Sequence, residues 1–164
     1  MTMKNIFQSA TEIKNVLPKG KRFTLVGGCF DLIHVGHIHL LEYAASLEEL
    51  LVVAVLSDTY ARKYKDSLRP IINQKQRARM IASIRFVDFV YISDTSPSSR
   101  ETLQLLRPDS VVFGEDSNSA EKIEQRMKNI ASVSPNTTVR FLPRYDEEEI
   151  STSYIINKIR GVTI

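Results

Sequence analysis

The chain has 164 residues, with 22 basic and 19 acidic side chains and a net charge of +3. That length suits one domain, 1–164, able to bury its own core, and so small a charge surplus with no long basic run argues against a nucleic-acid partner. Cys29 is the only cysteine, no stretch approaches the ~20 apolar residues of a membrane span, and the N-terminus lacks the apolar core of a secretory signal, so a cytoplasmic protein without a membrane partner is expected.

An opening helix is predicted over about Ile6–Leu17, an N-terminal extension occupying roughly residues 1–20. A short apolar run, Phe23–Val26, follows and ends in Gly27-Gly28. Gly36–Leu47 places Leu40, Leu41, Ala44 and Leu47 on one helical face. Leu50–Leu56, LLVVAVL, is almost continuously apolar, as a buried parallel strand requires. Asn73–Ile84 reads as a helix capped by Asn73, with Met80, Ile81 and Ile84 turned inward. Val87–Ile92 is a further strand, and Ser98–Leu106 a helix that stops before Pro108. Ser110–Phe113 and Thr138–Leu142 are strands flanking a polar helix, Ala120–Ala131, and Ser151–Arg160 closes the chain as a helix. Strands alternating with helices predict an α/β, Rossmann-like fold: a doubly wound five-stranded parallel sheet with helices on both faces. Ligands of such sheets bind beyond the C-terminal strand ends, so the loops after strands are where chemistry belongs.

The loop after Phe23–Val26 carries the strongest signal, Gly27-Gly28-Cys29-Phe30-Asp31-Leu32-Ile33-His34-Val35-Gly36-His37. Glycines after a strand admit a ligand close to the backbone. His34 and His37, three apart at a helix start, can share one side of the first turn, with Gly36 leaving room between them. The helix N-terminus adds unsatisfied N–H groups and the positive end of its dipole. Histidine pairs on helices are often surface residues or metal ligands; the strand before and helix after favour a polyanion. His39 is expected to pack or to face solvent. Cys29 has no base placed to activate it and reads as a small buried hydrophobe rather than a nucleophile.

GGCFDLIHVGH resembles the signature of the cytidylyltransferase-like nucleotidyltransferases, whose H-x-G-H is shared with class I aminoacyl-tRNA synthetases. The likeness extends over most of the chain. Ser57-Asp58 matches the family's polar ending of the second strand, and Arg62-Lys63-Tyr64-Lys65-Asp66-Ser67-Leu68-Arg69-Pro70 is similar to the R-R-L-K-G-x-x-R-P segment of the heptose-1-phosphate adenylyltransferase branch. Gln76-Arg77, Val87-Asp88 and Arg107-Pro108-Asp109 continue the match, and Ile150-Ser151-Thr152-Ser153 resembles the I-S-T-T that opens the last helix. Leu142-Pro143-Arg144 resembles a segment of the glycerol-3-phosphate cytidylyltransferases. The chain departs at Phe113-Gly114-Glu115-Asp116-Ser117, where the heptose branch reads K-G-G-D-Y, and at Gly27, where that branch has Asn.

The resemblance implies transfer of a nucleoside monophosphate from ATP, or next CTP, to a phosphorylated sugar or polyol, with pyrophosphate leaving. His34, His37 and Lys65 are the implied catalytic residues. Gly28, Cys29, Phe30, Gly36, Arg77, Gly114, Asp116, Ser151, Thr152 and Ser153 are the implied nucleotide contacts; Asp31, Arg69 and Arg144 would face the acceptor. Arg77, one turn into a helix beside apolar positions, should be half-buried and in want of an anion, either a phosphate or a structural carboxylate. Mg²⁺ is expected to be held mainly by phosphates, with Asp31 the one carboxylate that could reach it or else a structural group of its own loop. Relatives of this kind are usually dimers, and a homodimer is expected here.

Overall fold

The computed structural model describes residues 5–64, 68–114, 120–143, 145 and 150–161. Lys65, Asp116 and Arg144 lie outside the described residues. In chain order the elements are β1 (Ile6–Phe7), α1 (Ala10–Val16), β2 (Phe23–Gly28), α2 (Val35–Ala45), β3 (Leu50–Leu56), α3 (Asp58–Ala61), α4 (Gln74–Ala82), β4 (Phe89–Ser93), α5 (Arg100–Leu106), β5 (Ser110–Gly114), α6 (Ala120–Val133), β6 (Thr138–Leu142) and α7 (Thr152–Ile159).

The helices begin where short polar side chains can satisfy the first turn. Ser9, Ser57, Asn73, Ser99 and Ser151 each accept a hydrogen bond from the backbone N–H three residues on, at the starts of α1, α3, α4, α5 and α7. α5 ends at Arg107, whose φ of 53° turns the chain out of the helix ahead of Pro108.

All strands are parallel, in the order β1-β4-β3-β2-β5-β6. Among the described residues the sheet therefore has six strands, not five. β1 is only two residues long and pairs Ile6 with Val90 and Phe7 with Tyr91. Two residues are too few for alternation to register in the sequence, so the predicted opening helix absorbed them. The helix itself starts only at Ala10. α3 is a single four-residue turn, likewise too short for helical periodicity to register in the sequence.

β3 explains why both sheet faces are dry. Its alternate residues Leu51, Val53 and Val55 pack with Leu41 and Ala44 of α2 and Ala78 and Ile81 of α4. Val52 and Ala54 pack on the other face with Ile13 of α1, Leu103 and Leu106 of α5, and Ile130 of α6. A strand buried on both sides needs a continuous apolar run, which is what LLVVAVL supplies. Among the described residues no helix is long and apolar enough to cross a membrane.

Candidate active site

The chain winds from β2 through β3 to β4 on one side and from β5 to β6 on the other, so the topology reverses between β2 and β5. A crevice must open there at the C-terminal strand ends. It does: a cleft of about 500 Å³ is lined by Gly28 and Gly114, the last residues of those two strands, and by His34, His37, Arg69 and the Ser151–Ser153 start of α7. Residues expected from distant segments of the sequence thus meet in one place.

The β2–α2 loop is strained to reach it. Phe30 and Leu32 both sit at positive φ, 53° and 47°, which side chains larger than glycine adopt at a cost. The reward is placement of the Phe30 ring, only 2% exposed, directly against Gly28. A Cβ on Gly28 would lie 3.0 Å from Phe30 Cζ, so any larger residue would have to shift the ring where it crosses the strand end. The ring also meets His37 edge-on, with centroids 5.4 Å apart. Phe30 therefore supports the site from within the core. Cys29, expected to be buried, is only half-buried and lines the cleft, because it stands where the strand opens into the loop.

His34 is the N-cap of α2. Its backbone N–H donates to Nδ1 of His37 at 3.4 Å, and the two imidazoles stack with centroids 3.8 Å apart. A Cβ at Gly36 would come within 3.1 Å of the His34 ring, so the space that glycine leaves is taken by imidazole rather than by an open passage. Burial, and next repulsion from the neighbouring His34 when it is protonated, push the His37 pKa down to about 3. His37 is therefore neutral near pH 7. With Nδ1 accepting from backbone, its proton resides on Nε2, and the ring offers a ligand one hydrogen-bond donor and no charge.

Other expected residues hold the loops together from behind. Asp31 is 1% exposed, and its two carboxylate oxygens accept from the backbone N–H groups of Ile71 and Ile72 at 2.9 and 3.0 Å. Expected to face an acceptor, or a metal, or to bond its own loop, it instead binds a segment forty residues away. Arg77 is fully buried rather than half-buried. Nε donates to the Ile72 carbonyl at 2.8 Å, Nη1 to the Cys29 carbonyl, and Nη2 to the Leu56 carbonyl and to Asp58 Oδ1 at 2.8 and 2.7 Å. The anion it wanted is a structural carboxylate, and its guanidinium joins the ends of β2 and β3 to the approach to α4.

The three hydroxyls opening α7 divide their work. Ser151 Oγ accepts from the Tyr154 N–H as the cap, which leaves its own proton available. Thr152 Oγ1 donates its proton to the Asp31 carbonyl at 2.7 Å. Ser153 Oγ accepts from Arg69 Nη1 at 3.1 Å. His39 packs its ring against Tyr145, 4.9 Å between centroids.

Three participants escaped the sequence reading. Asp58, in the sequence only a polar strand ending, pairs with Arg77. Gln74 accepts from the Asp58 N–H at 2.7 Å and steadies that pair. Pro97, in the loop after β4, presses on Gly27: a Cβ there would stand 1.8 Å from Pro97 Cγ. The Gly in place of Asn was visible in the sequence, but its cause, a proline seventy residues on, was not. Among the described residues no group of three or more His, Cys, Asp or Glu is placed to hold a metal ion, and the one described carboxylate lining the cleft, Asp31, has both oxygens engaged.

The cytidylyltransferase-like family model matches residues 25–158. A protein named bifunctional protein HldE from Campylobacter jejuni subsp. doylei is 38% identical over 142 residues, covering 87% of this chain and 28% of that protein. The chain spans about a third or less of the length of the curated relatives it matches. Among solved structures, the lipopolysaccharide core biosynthesis protein of Thermoplasma volcanium is 27% identical with a TM-score of 0.64, covering 77% of this chain and all of that one. Pantothenate synthetase of Thermus thermophilus has a TM-score of 0.66 at 14% identity, covering 92% of this chain and 67% of that one, a likeness of fold alone.

Proposed function

From the premise that the chain belongs to the cytidylyltransferase-like family of nucleotidyltransferases, we propose that it transfers a nucleoside monophosphate, AMP in the first instance, to the phosphate of a sugar and releases pyrophosphate. One observation carries the reading: two helix N-termini, those of α2 and α7, converge with His37 and Arg69 on the cleft where the sheet reverses. Unsatisfied N–H groups and helix dipoles aimed at one cleft suit a polyphosphate. The similarity to proteins named HldE and the Arg69-Pro70 and Gln76-Arg77 matches favour ATP and a heptose-like sugar phosphate. The Leu142-Pro143 and Ile150–Ser153 segments favour CTP and a polyol phosphate as the second reading.

The acceptor phosphate oxygen attacks the α-phosphorus in line. A new P–O bond forms, the bond from the α-phosphorus to the bridging oxygen breaks, and pyrophosphate leaves with the electron pair. The acceptor phosphate is ionised near neutral pH, so no general base is required, and the protein's task is positioning and stabilisation of charge. His37 donates from Nε2 to the α-phosphate oxygens with His34 stacked beside it. Ser151, through its hydroxyl proton, and the first backbone N–H groups of α7 hold the distal phosphates. Thr152, its proton held by Asp31, contributes its backbone. Mg²⁺ enters with the nucleotide as part of the substrate. Lys65 and Asp116 complete the set as proposed phosphate and nucleotide contacts, and Arg144 as an acceptor contact.

The test is pyrophosphate release by the purified chain with Mg²⁺, each of the four nucleoside triphosphates, and a panel of sugar and polyol phosphates. Release that requires one nucleotide and one acceptor class supports the proposal and names both. Nucleotide binding without release across the panel would favour a non-catalytic binding module, and no binding at all would end the proposal.

A further inference from the structure

Arg69 is the only lysine or arginine among the described residues lining the cleft. Its guanidinium is only partly satisfied. Nη1 donates to Ser153 Oγ at 3.1 Å, while Nε is buried and has no hydrogen-bond partner among the described residues. None of the ion pairs among the described residues includes it. A buried donor without an acceptor on a cationic group is costly, and an anion in the cleft would relieve it.

The placement of Arg69 says which anion. Two residues on, the chain is pinned by the Ile71 and Ile72 N–H groups to the Asp31 carboxylate. The carbonyl of the same Asp31 accepts from Thr152 at the start of α7. Asp31 therefore sets the Arg69 segment and the α7 N-terminus in register with each other and with the β2–α2 loop. Ser153 takes a hydrogen bond from Arg69 and keeps its own proton to donate. The Thr152 and Ser153 N–H groups, first in the helix, have no intrahelical acceptor. Guanidinium, hydroxyl and two N–H groups thus gather at the start of α7 on the cleft. Such a set suits a group with several anionic oxygens.

We infer that Arg69 binds the β- and γ-phosphates of the nucleotide, and then the departing pyrophosphate, rather than the acceptor, and that Ser153 is its positioning residue. The inference rests on the proposed nucleotidyl transfer. As the bond between the α-phosphorus and the bridging oxygen breaks, charge gathers on the leaving pyrophosphate, and Arg69 stabilises it without transferring a proton.

Inorganic pyrophosphate, titrated by calorimetry into wild-type protein and into Arg69→Ala, Arg69→Lys and Ser153→Ala, tests this without knowledge of the acceptor. Affinity is expected to fall by about 10- to 100-fold in Arg69→Ala, less in Arg69→Lys, and least in Ser153→Ala. In turnover assays Arg69→Ala should raise the nucleotide KM and lower kcat while leaving the acceptor KM unchanged. A folded Arg69→Ala that binds pyrophosphate as wild type does, or that raises only the acceptor KM, overturns the inference, as does a wild-type protein that does not bind pyrophosphate. Should Arg69→Ala fail to fold, wild-type affinity in both Arg69→Lys and Ser153→Ala overturns it equally. Wild-type protein that turns over no nucleotide, yet binds pyrophosphate through Arg69, would instead sink the proposed reaction and keep the anion site.

Discussion

Arg69 and Arg77 come from the same segment and carry the same side chain, yet the fold treats them oppositely. Arg77 is fully buried, with three carbonyls and the Asp58 carboxylate around its guanidinium. Arg69 lines the cleft with one protein hydrogen bond and a buried Nε lacking a partner among the described residues. A guanidinium whose three nitrogens are each answered by protein holds the framework. One whose donors are partly unanswered in a cleft is available to a ligand. The rest of the site sorts along the same line: Asp31 and Phe30 belong with Arg77, and His37 and Ser153 with Arg69.

The largest effect should come from the framework side. Arg77→Met leaves Asp58 and three carbonyls without their donor and should lower stability by about 3–5 kcal/mol in urea denaturation. Retained stability with lost turnover would show that Arg77 acts on the ligand, and the contrast between the two arginines would collapse. On the ligand side, His37→Ala should cut kcat by roughly 10²–10³-fold with a native circular dichroism spectrum; unchanged turnover would remove His37 from the chemistry.

A smaller effect should sharpen the framework side further. Gly27→Ala drives a methyl into Pro97 and should cost about 1–3 kcal/mol, because a close-packed contact cannot absorb it. Adding Pro97→Gly should recover part of that loss in a double-mutant cycle; additive losses would mean that the contact does not couple β2 to the loop after β4. The smallest effect concerns pH. His37 has a folded pKa of about 3, below its ordinary 6.5. Between those values the unfolded chain binds a proton that the folded chain refuses. Acidification from pH 6.5 toward 3 should therefore destabilise the protein through this residue, and above 6.5 the contribution is flat. Denaturation midpoints of wild type and His37→Gln, compared from pH 7.5 to 5, should diverge only on the acid side, and parallel curves would refute the neutral state of His37.

What was legible in the sequence was what is contiguous in it. The H-x-G-H turn, the Ser-Thr-Ser helix start and the doubly buried run of β3 each announce themselves within a dozen residues, because helix caps and strand burial are local requirements. β1 was not legible, since a two-residue edge strand owes its existence to its neighbour β4. The functions of Asp31 and Arg77 were ambiguous for a similar reason. A carboxylate or a guanidinium in a loop reads the same whether its partner is a phosphate or a distant backbone.

The sequence by itself determined the alternation of strands and helices, the family pattern, and the set of polar residues from which a phosphate site could be built, because each depends on short-range periodicity and capping. Tertiary structure alone decided how those residues divide. Sheet order opened the crevice between Gly28 and Gly114, burial removed the charge from His37, and Asp31 tied the Arg69 segment to α7 across the fold. Hydrogen-bond satisfaction and desolvation depend on which groups meet in space, and those meetings are made by the packed chain as a whole.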